Sequence, residues 1–404
     1  MKKPFISIFM QGGTVKVWSN VLLSFLLAVS FLACSGQNET ESSPSNAQEY
    51  LNRGIAYANK GDLDRGIADF TRAIDIDPQY ARAYNNRGFA YYQKGDWDRA
   101  LADYTRALEL SPNFVLAYIN RGVAYDQKGD RTRAIADFNR ALQFNPKEGQ
   151  AFYNRGFVYY KEGDLSGAIA DFNRAIDINP QDAQAYNGRG LAYFKKGDLN
   201  RAIADYTRSL ELNPRYAQSY GNRAFAYSQK RDWDHAIADF NRALELNPKD
   251  GKAFFWRGDA FIHKEDWDRA IADFSRAQEL NPKYASTYVG RGTAFVKKEC
   301  WDLAIADFSR ALEINPKDAD AFLLRGGVFA EKKEWDRALS DYNMALEISP
   351  KYAVAYYMKG HVLEESGKKK EAIEVYKNFL KYAIPSENSI RIQDAKERIK
   401  ALER

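Results

Sequence analysis

Asn52, Asn86, Asn120 and Asn154 stand 34 residues apart, and Asn222 falls on the same beat. A side-chain amide carries donors and an acceptor together, so a row of them can hold the backbone of an extended peptide without reading its sequence. Beside this row lie Phe89, Tyr92, Tyr153, Phe157, Tyr160, Phe194 and Phe225, flanked by Lys161 and Lys195. Rigid aromatics with a few polar groups are what a peptide groove needs. Aromatics at helical spacing also suit a helix-packing core, and exposed amides also suit plain solvation, so the row carries two readings.

Reaction chemistry has no comparable foothold. His235, His263 and His361 occupy unrelated places in the 34-residue beat, and no His, Cys and acid cluster has metal-ligand spacing. There is no phosphate-cradling glycine loop. Cys300 stands where Asp is usual and reads as an incidental thiol. The expectation is a non-enzyme with no metal and no cofactor. The net charge is +5, and setting aside Lys2, Lys3 and Lys16 leaves 56 basic against 54 acidic residues, or +2. Such balance gives no electrostatic case for nucleic acid, which demands a clustered basic face. Two cysteines imply no disulfide framework.

The amino-terminal segment reads as targeting. Lys2, Lys3 and Lys16 lead into an apolar run, Val21 to Ala33, that suits a signal-peptide core better than a membrane span. The run ends in Ser30-Phe31-Leu32-Ala33-Cys34, which resembles the lipobox of bacterial lipoproteins. That resemblance implies a signal peptide over 1–33, lipidation of Cys34, and a bacterial cell-envelope protein held to a membrane by its lipid. The alternative is an ordinary secreted or periplasmic protein. Ser35 to Asn46 lacks apolar residues and completes a flexible tether over 34–46.

The elements that must position the amides and aromatics come from the repeat itself. Pro78, Pro112, Pro146, Pro180, Pro214, Pro248, Pro282, Pro316 and Pro350 keep the 34-residue period. Counting from Ala47 gives ten units: 47–80, 81–114, 115–148, 149–182, 183–216, 217–250, 251–284, 285–318, 319–352 and 353–386. An aromatic at position 4, Gly at 8 (Ala224 in the sixth unit) and an aromatic at 11 (Leu363 in the tenth) form the stripe of one helix. Gly-Asp at 15 and 16 signals a turn and a helix N-cap, as in Gly61-Asp62. Positions 17, 20, 21, 24, 27 and 28 form the stripe of a second helix, which proline at 32 ends. Units six to nine replace the turn glycine with Arg231, Glu265, Glu299 and Lys333 and place Trp233, Trp267, Trp301 and Trp335 at position 17. Gln278 interrupts the position-28 stripe.

This pattern resembles the tetratricopeptide repeat (TPR) over residues 47–386. The resemblance implies an all-α fold: helix-turn-helix hairpins stacked as a right-handed superhelical solenoid, with the first helix of each unit lining a concave groove. Residues 387–404 read as a capping helix whose Ile390, Ala395, Ile399 and Leu402 cover the last hairpin. The carboxylate-clamp pattern of chaperone-adaptor TPRs is not matched, since Leu51, Ile55, Leu116 and Asn120 replace four of its five residues around Asn86.

One departure from the family stands out. Position 7 is Arg in nine units, beginning Arg53, Arg87, Arg121, Arg155 and Arg189, and position 23 is Asp in the same nine, beginning Asp69, Asp103, Asp137, Asp171 and Asp205. In the tenth unit both change together, to Lys359 and Val375. The pair is expected to be an ion bridge between the two helices of each hairpin. The functional expectation is a protein-interaction scaffold binding partner proteins or peptides in its groove, and the alternative is a carrier of a small apolar ligand. The ends of the array are a candidate surface for homo-oligomer formation.

Overall fold

The computed structural model describes residues 46–404. The targeting segment, Cys34 and the tether up to residue 45 lie outside the described residues. Two compact units divide at Pro180/Gln181. The first holds α1 (Ala47–Asn59), α2 (Leu63–Ile76), α3 (Ala81–Gln93), α4 (Trp97–Leu110), α5 (Val115–Gln127), α6 (Arg131–Phe144), α7 (Gly149–Glu162) and α8 (Leu165–Ile178). The second holds α9 (Ala183–Lys195), α10 (Leu199–Leu212), α11 (Ala217–Gln229), α12 (Trp233–Leu246), α13 (Gly251–His263), α14 (Trp267–Leu280), α15 (Ala285–Lys297), α16 (Trp301–Ile314), α17 (Ala319–Glu331), α18 (Trp335–Ile348), α19 (Ala353–Glu365), α20 (Lys369–Tyr382) and α21 (Pro385–Leu402). The described residues contain helices and no strands.

Each pair α1/α2, α3/α4 and onward is one antiparallel hairpin, and within each unit the hairpins stack in chain order as an all-α solenoid. The first helices of successive hairpins touch one another: α1 with α3, α3 with α5 and α5 with α7, then α9 with α11, α11 with α13, α13 with α15, α15 with α17 and α17 with α19. Within each unit, each second helix packs instead against the first helix of its own hairpin and against the helix that follows it in that unit. One side of each unit is therefore made of first helices.

The core explains the stripes. Phe70, Tyr104, Phe138 and Phe172 of the second helices are almost fully buried. Gly122 shows why position 8 is glycine: a Cβ there would come within 2.8 Å of the Phe138 ring. Truncating one of these buried rings to Ala costs about 3–5 kcal/mol. The second helices start cleanly because Asp62, Asp96, Asp130, Asp164, Asp198, Asp232 and Asp266 accept the backbone N–H three residues on. Cys300 stands at the same cap of α16 without such a bond.

The turn before each cap needs a left-handed residue. Gly61, Gly95, Gly129, Gly163, Gly197 and Gly367 supply it with φ between 78° and 92°. Arg231, Glu265, Glu299 and Lys333 hold the same bend with φ of 58–60°. The hairpin geometry thus imposes the bend even where the side chain opposes it. Two of these tryptophans meet the next hairpin: Trp233 stacks on His263 with centroids 4.1 Å apart, and Lys297 Nζ lies 5.8 Å above the Trp267 ring. Nothing in the structure explains Gln278.

The carboxy-terminal helix α21 departs from the expected phase. Ile390 is 84% exposed, so it does not cover the stack. Asn388 leaves helical geometry (φ −128°, ψ 17°), and the face beyond it is Ile392, Ala395, Ile399 and Leu402, which packs on Leu363, Tyr376 and Phe379. Polar contacts pin the same face. Tyr357 donates to Asp394 at 2.7 Å, and Arg398 donates to Asp394 at 2.7 Å and to Glu364 at 2.9 Å.

Candidate functional site

The arginines at position 7 are committed to structure. Arg53 Nε and Nη2 donate to the two carboxylate oxygens of Asp69, each at 2.8 Å. The same fork joins Arg87 to Asp103, Arg121 to Asp137, Arg155 to Asp171 and Arg189 to Asp205, and recurs at Arg223, Arg257, Arg291 and Arg325. The remaining Nη1 reaches back to the preceding hairpin. Arg87 donates to Thr71 at 3.2 Å, Arg121 to Thr105 at 3.1 Å, Arg223 to Thr207 at 2.9 Å and Arg291 to Ser275 at 3.0 Å; Arg155 and Asn139 bond likewise. The guanidiniums of Arg87, Arg121, Arg155, Arg223 and Arg291 therefore each tie three helices in two repeats. The side chain of Arg53, which has no described hairpin before it, is 31% exposed, against 18% for Arg87. The sequence signal for the third partner was a Thr, Asn or Ser at position 25 in the first nine repeats. In the tenth repeat burial pulls the half-buried Lys359 ammonium down, with Glu371 and Glu374 opposing.

The amide row divides. Asn52 is exposed and accepts from Gln48 at 2.8 Å, and half-buried Asn86 donates to its own helix at the Arg82 carbonyl. Asn120, Asn154 and Asn222 are buried. Asn120 donates to Asn85 at 3.0 Å, and Asn222 donates to Asn187 at 2.9 Å. These two amides hold neighbouring first helices together. The carbonyl oxygen of Asn154 accepts from Gln150 at 3.2 Å, while its Nδ2 has no protein partner among the described residues. Ser209 and Ser219 join the Asn187 node, with 2.8 Å between hydroxyls and 3.1 Å from Ser219 to Asn187. An uninterrupted ladder of accessible amides is therefore not what the first helices present.

The aromatic row divides in the same way. Tyr153, Tyr160 and Phe225 are buried. Tyr153 packs edge-on against Phe157 at 5.0 Å, and burial pushes the Tyr160 phenol up to about 12. Phe89, Tyr92, Phe157 and Phe194 stay partly exposed on the first-helix face. Lys161 pairs with Asp126 of the preceding first helix at 2.5 Å, and burial followed by the Asp126 charge raises the Tyr92 phenol.

Position-by-position reading puts Trp256 in the amide column, as a departure from Asn at position 6, apart from the aromatics. Its ring meets Phe225 at 4.8 Å, and Phe225 meets Phe194 at 5.4 Å. These are positions 12, 9 and 6 of α9, α11 and α13. The contact slides by nearly one helical turn per hairpin, so comparing one column of the repeat cannot reveal it. No three His, Cys, Asp or Glu side chains converge to hold a metal among the described residues. No described helix is long and apolar enough to cross a membrane.

Comparisons with known proteins agree with the hairpins. The family described as Tetratricopeptide repeat matches residues 81–114, 115–148, 183–216, 222–285, 289–353 and 353–383, and that described as TPR repeat matches 57–95 and 158–197. Comparison with curated proteins gave no match. Among solved structures, a tetratricopeptide repeat protein from Parabacteroides merdae is 21% identical with a TM-score of 0.49, covering 62% of this chain and 98% of its own. Pseudomonas aeruginosa pilF is 19% identical with a TM-score of 0.46, covering 50% of this chain and 92% of its own. YrrB, described as a TPR protein with an unusual peptide-binding site, is 27% identical with a TM-score of 0.38, covering 48% of this chain and 97% of its own.

Proposed function

Because the chain belongs to the tetratricopeptide repeat family, we propose that it is a non-catalytic scaffold that binds protein partners through peptide segments laid on its first-helix faces. The observation that carries this reading is the set of large aromatics left partly exposed there: Phe89, Tyr92 and Phe157 in the first unit, and Phe194 and Trp256 in the second. Aromatic rings held by helix packing offer apolar area with little ordering cost on binding. Asn52 and Asn86 add surface amides beside the first set.

A photo-crosslinking phenylalanine analogue placed at Phe89 or Phe194, in the full chain and in cells, tests the reading. Adducts to protein partners are expected from both sites and not from Arg106 or Glu313 on second helices. Adducts only from the second helices would overturn it. The lipobox-like Ser30-Phe31-Leu32-Ala33-Cys34 supports a further proposal, that the scaffold is lipid-anchored in a bacterial cell envelope. Incorporation of a labelled fatty acid that disappears in Cys34→Ala tests this, and equal label in both chains would sink it.

A further inference from the structure

The second unit carries an acid on its first-helix face that no Lys or Arg among the described residues pairs with. Asp259 lies one turn beyond Trp256 on α13. The one ion-pairing contact the structure shows for it is His263, with Nε2 3.9 Å from the carboxylate, longer than a hydrogen bond. That imidazole lies flat on Trp233. Two other first-helix acids are matched by bases: Asp126 by Lys161 at 2.5 Å, and Glu364 by Arg398 at 2.9 Å. Nearby bases are engaged elsewhere, Arg257 with Asp273 and Lys297 over Trp267.

The surroundings of Asp259 are both enclosed and open. A third of its side-chain surface is accessible (33%), yet burial among its neighbours pushes its carboxyl up, opposed by His263. Three aromatic rings lead to it in sequence: Phe194, Phe225 and Trp256. One turn before Phe225 stands Gly221, where an added Cβ would meet nothing within 4 Å. Other repeats place Tyr153 or Phe255 at that register. The face thus combines space beside Gly221, a run of aromatic rings, and a carboxylate that no Lys or Arg among the described residues pairs with.

Resting on the groove reading above, we propose that this face selects a peptide bearing an arginine, with the guanidinium against Asp259 and the side chain passing over Trp256. A planar guanidinium can pair bidentately with a carboxylate and stack on an aromatic ring, which a compact ammonium does less well. Enclosure strengthens both contacts relative to open water.

The test uses the full chain and two fluorescent probes: the peptide acetyl-Gly-Leu-Arg-Leu-Gly, and the same peptide with citrulline, a neutral isostere, for arginine. Fluorescence anisotropy should show the arginine peptide binding at least about tenfold more tightly than the citrulline peptide. Asp259→Asn should erase that preference while leaving the citrulline peptide's affinity unchanged and the thermal melt intact. Trp256→Leu should weaken both peptides. Equal binding of the two peptides to the native chain, or a preference that survives Asp259→Asn, overturns the inference and leaves the groove reading standing. Binding of neither peptide also overturns it, and the crosslinking at Phe89 and Phe194 then judges the groove separately.

Discussion

At the residue scale the determining object is the position-7 guanidinium. It bridges the two helices of its hairpin through a bidentate carboxylate and touches the hairpin before it. Half of this was legible in the sequence, because Lys359 and Val375 replace Arg and Asp together in the tenth repeat. The reach to Thr71, Thr105 and their counterparts was not legible, because it crosses the boundary between repeats. Removing Arg155 leaves Asp171 buried beside no cation, so Arg155→Leu is expected to cost about 3–5 kcal/mol in urea denaturation. Removing both charges, as Arg155→Leu with Asp171→Leu, is expected to restore most of that loss. A double variant no more stable than the single one would mean the carboxylate is not what suffers. The buried amides teach a related lesson. The period of Asn120 and Asn222 was plain, but their hydrogen bonds need partners at position 5 of the hairpin before, Asn85 and Asn187, which two repeats possess.

At the element scale, Gly-Asp marks the start of the second helix in the first five repeats, and Pro marks its end in nine. What sequence alone left open was the conformation of turns lacking glycine. Arg231, Glu265, Glu299 and Lys333 keep a left-handed backbone that glycine adopts more readily. Changing any one to Gly is expected to stabilise the chain by about 0.5–1 kcal/mol in a thermal melt, and Gly95→Arg to destabilise it comparably. At α16, Cys300→Asp restores the missing cap and should add about 1 kcal/mol, read in the same melt. The cap α21 was foreseen as an element but misphased, because its kink at Asn388 shifts the buried stripe away from Ile390. Its anchor includes His361, 3.8 Å from Asp394. Burial, and then the Arg398 charge, hold the His361 imidazole below its ordinary value, against Asp394 and Glu364. An unfolded histidine therefore takes up its proton first as pH falls. Its contribution is present above about pH 6.5 and declines below that toward the folded pKa. Protection factors in α21, with the intrinsic pH dependence of amide exchange divided out, should fall between pH 7.5 and 5.5, and less so in His361→Gln; identical profiles would exclude this linkage.

At the scale of the whole molecule, each unit builds its face from first helices that slide past one another, so the surface aromatics are assembled obliquely. That is why Phe194, Phe225 and Trp256 meet although no single column of the repeat contains them. It is also why the accessible set is smaller than the periodic one, with Tyr153, Tyr160 and Phe225 consumed in packing. The central claim is that partners lie on the first-helix faces. Carbene footprinting of the full chain, alone and with a captured partner, tests it most directly. Protection is expected at Phe89, Tyr92 and Phe157 or at Phe194 and Trp256, with Arg106, Glu245 and Glu313 of the second helices labelled as before. Protection confined to the second helices, with those aromatics labelled equally in both states, would contradict it.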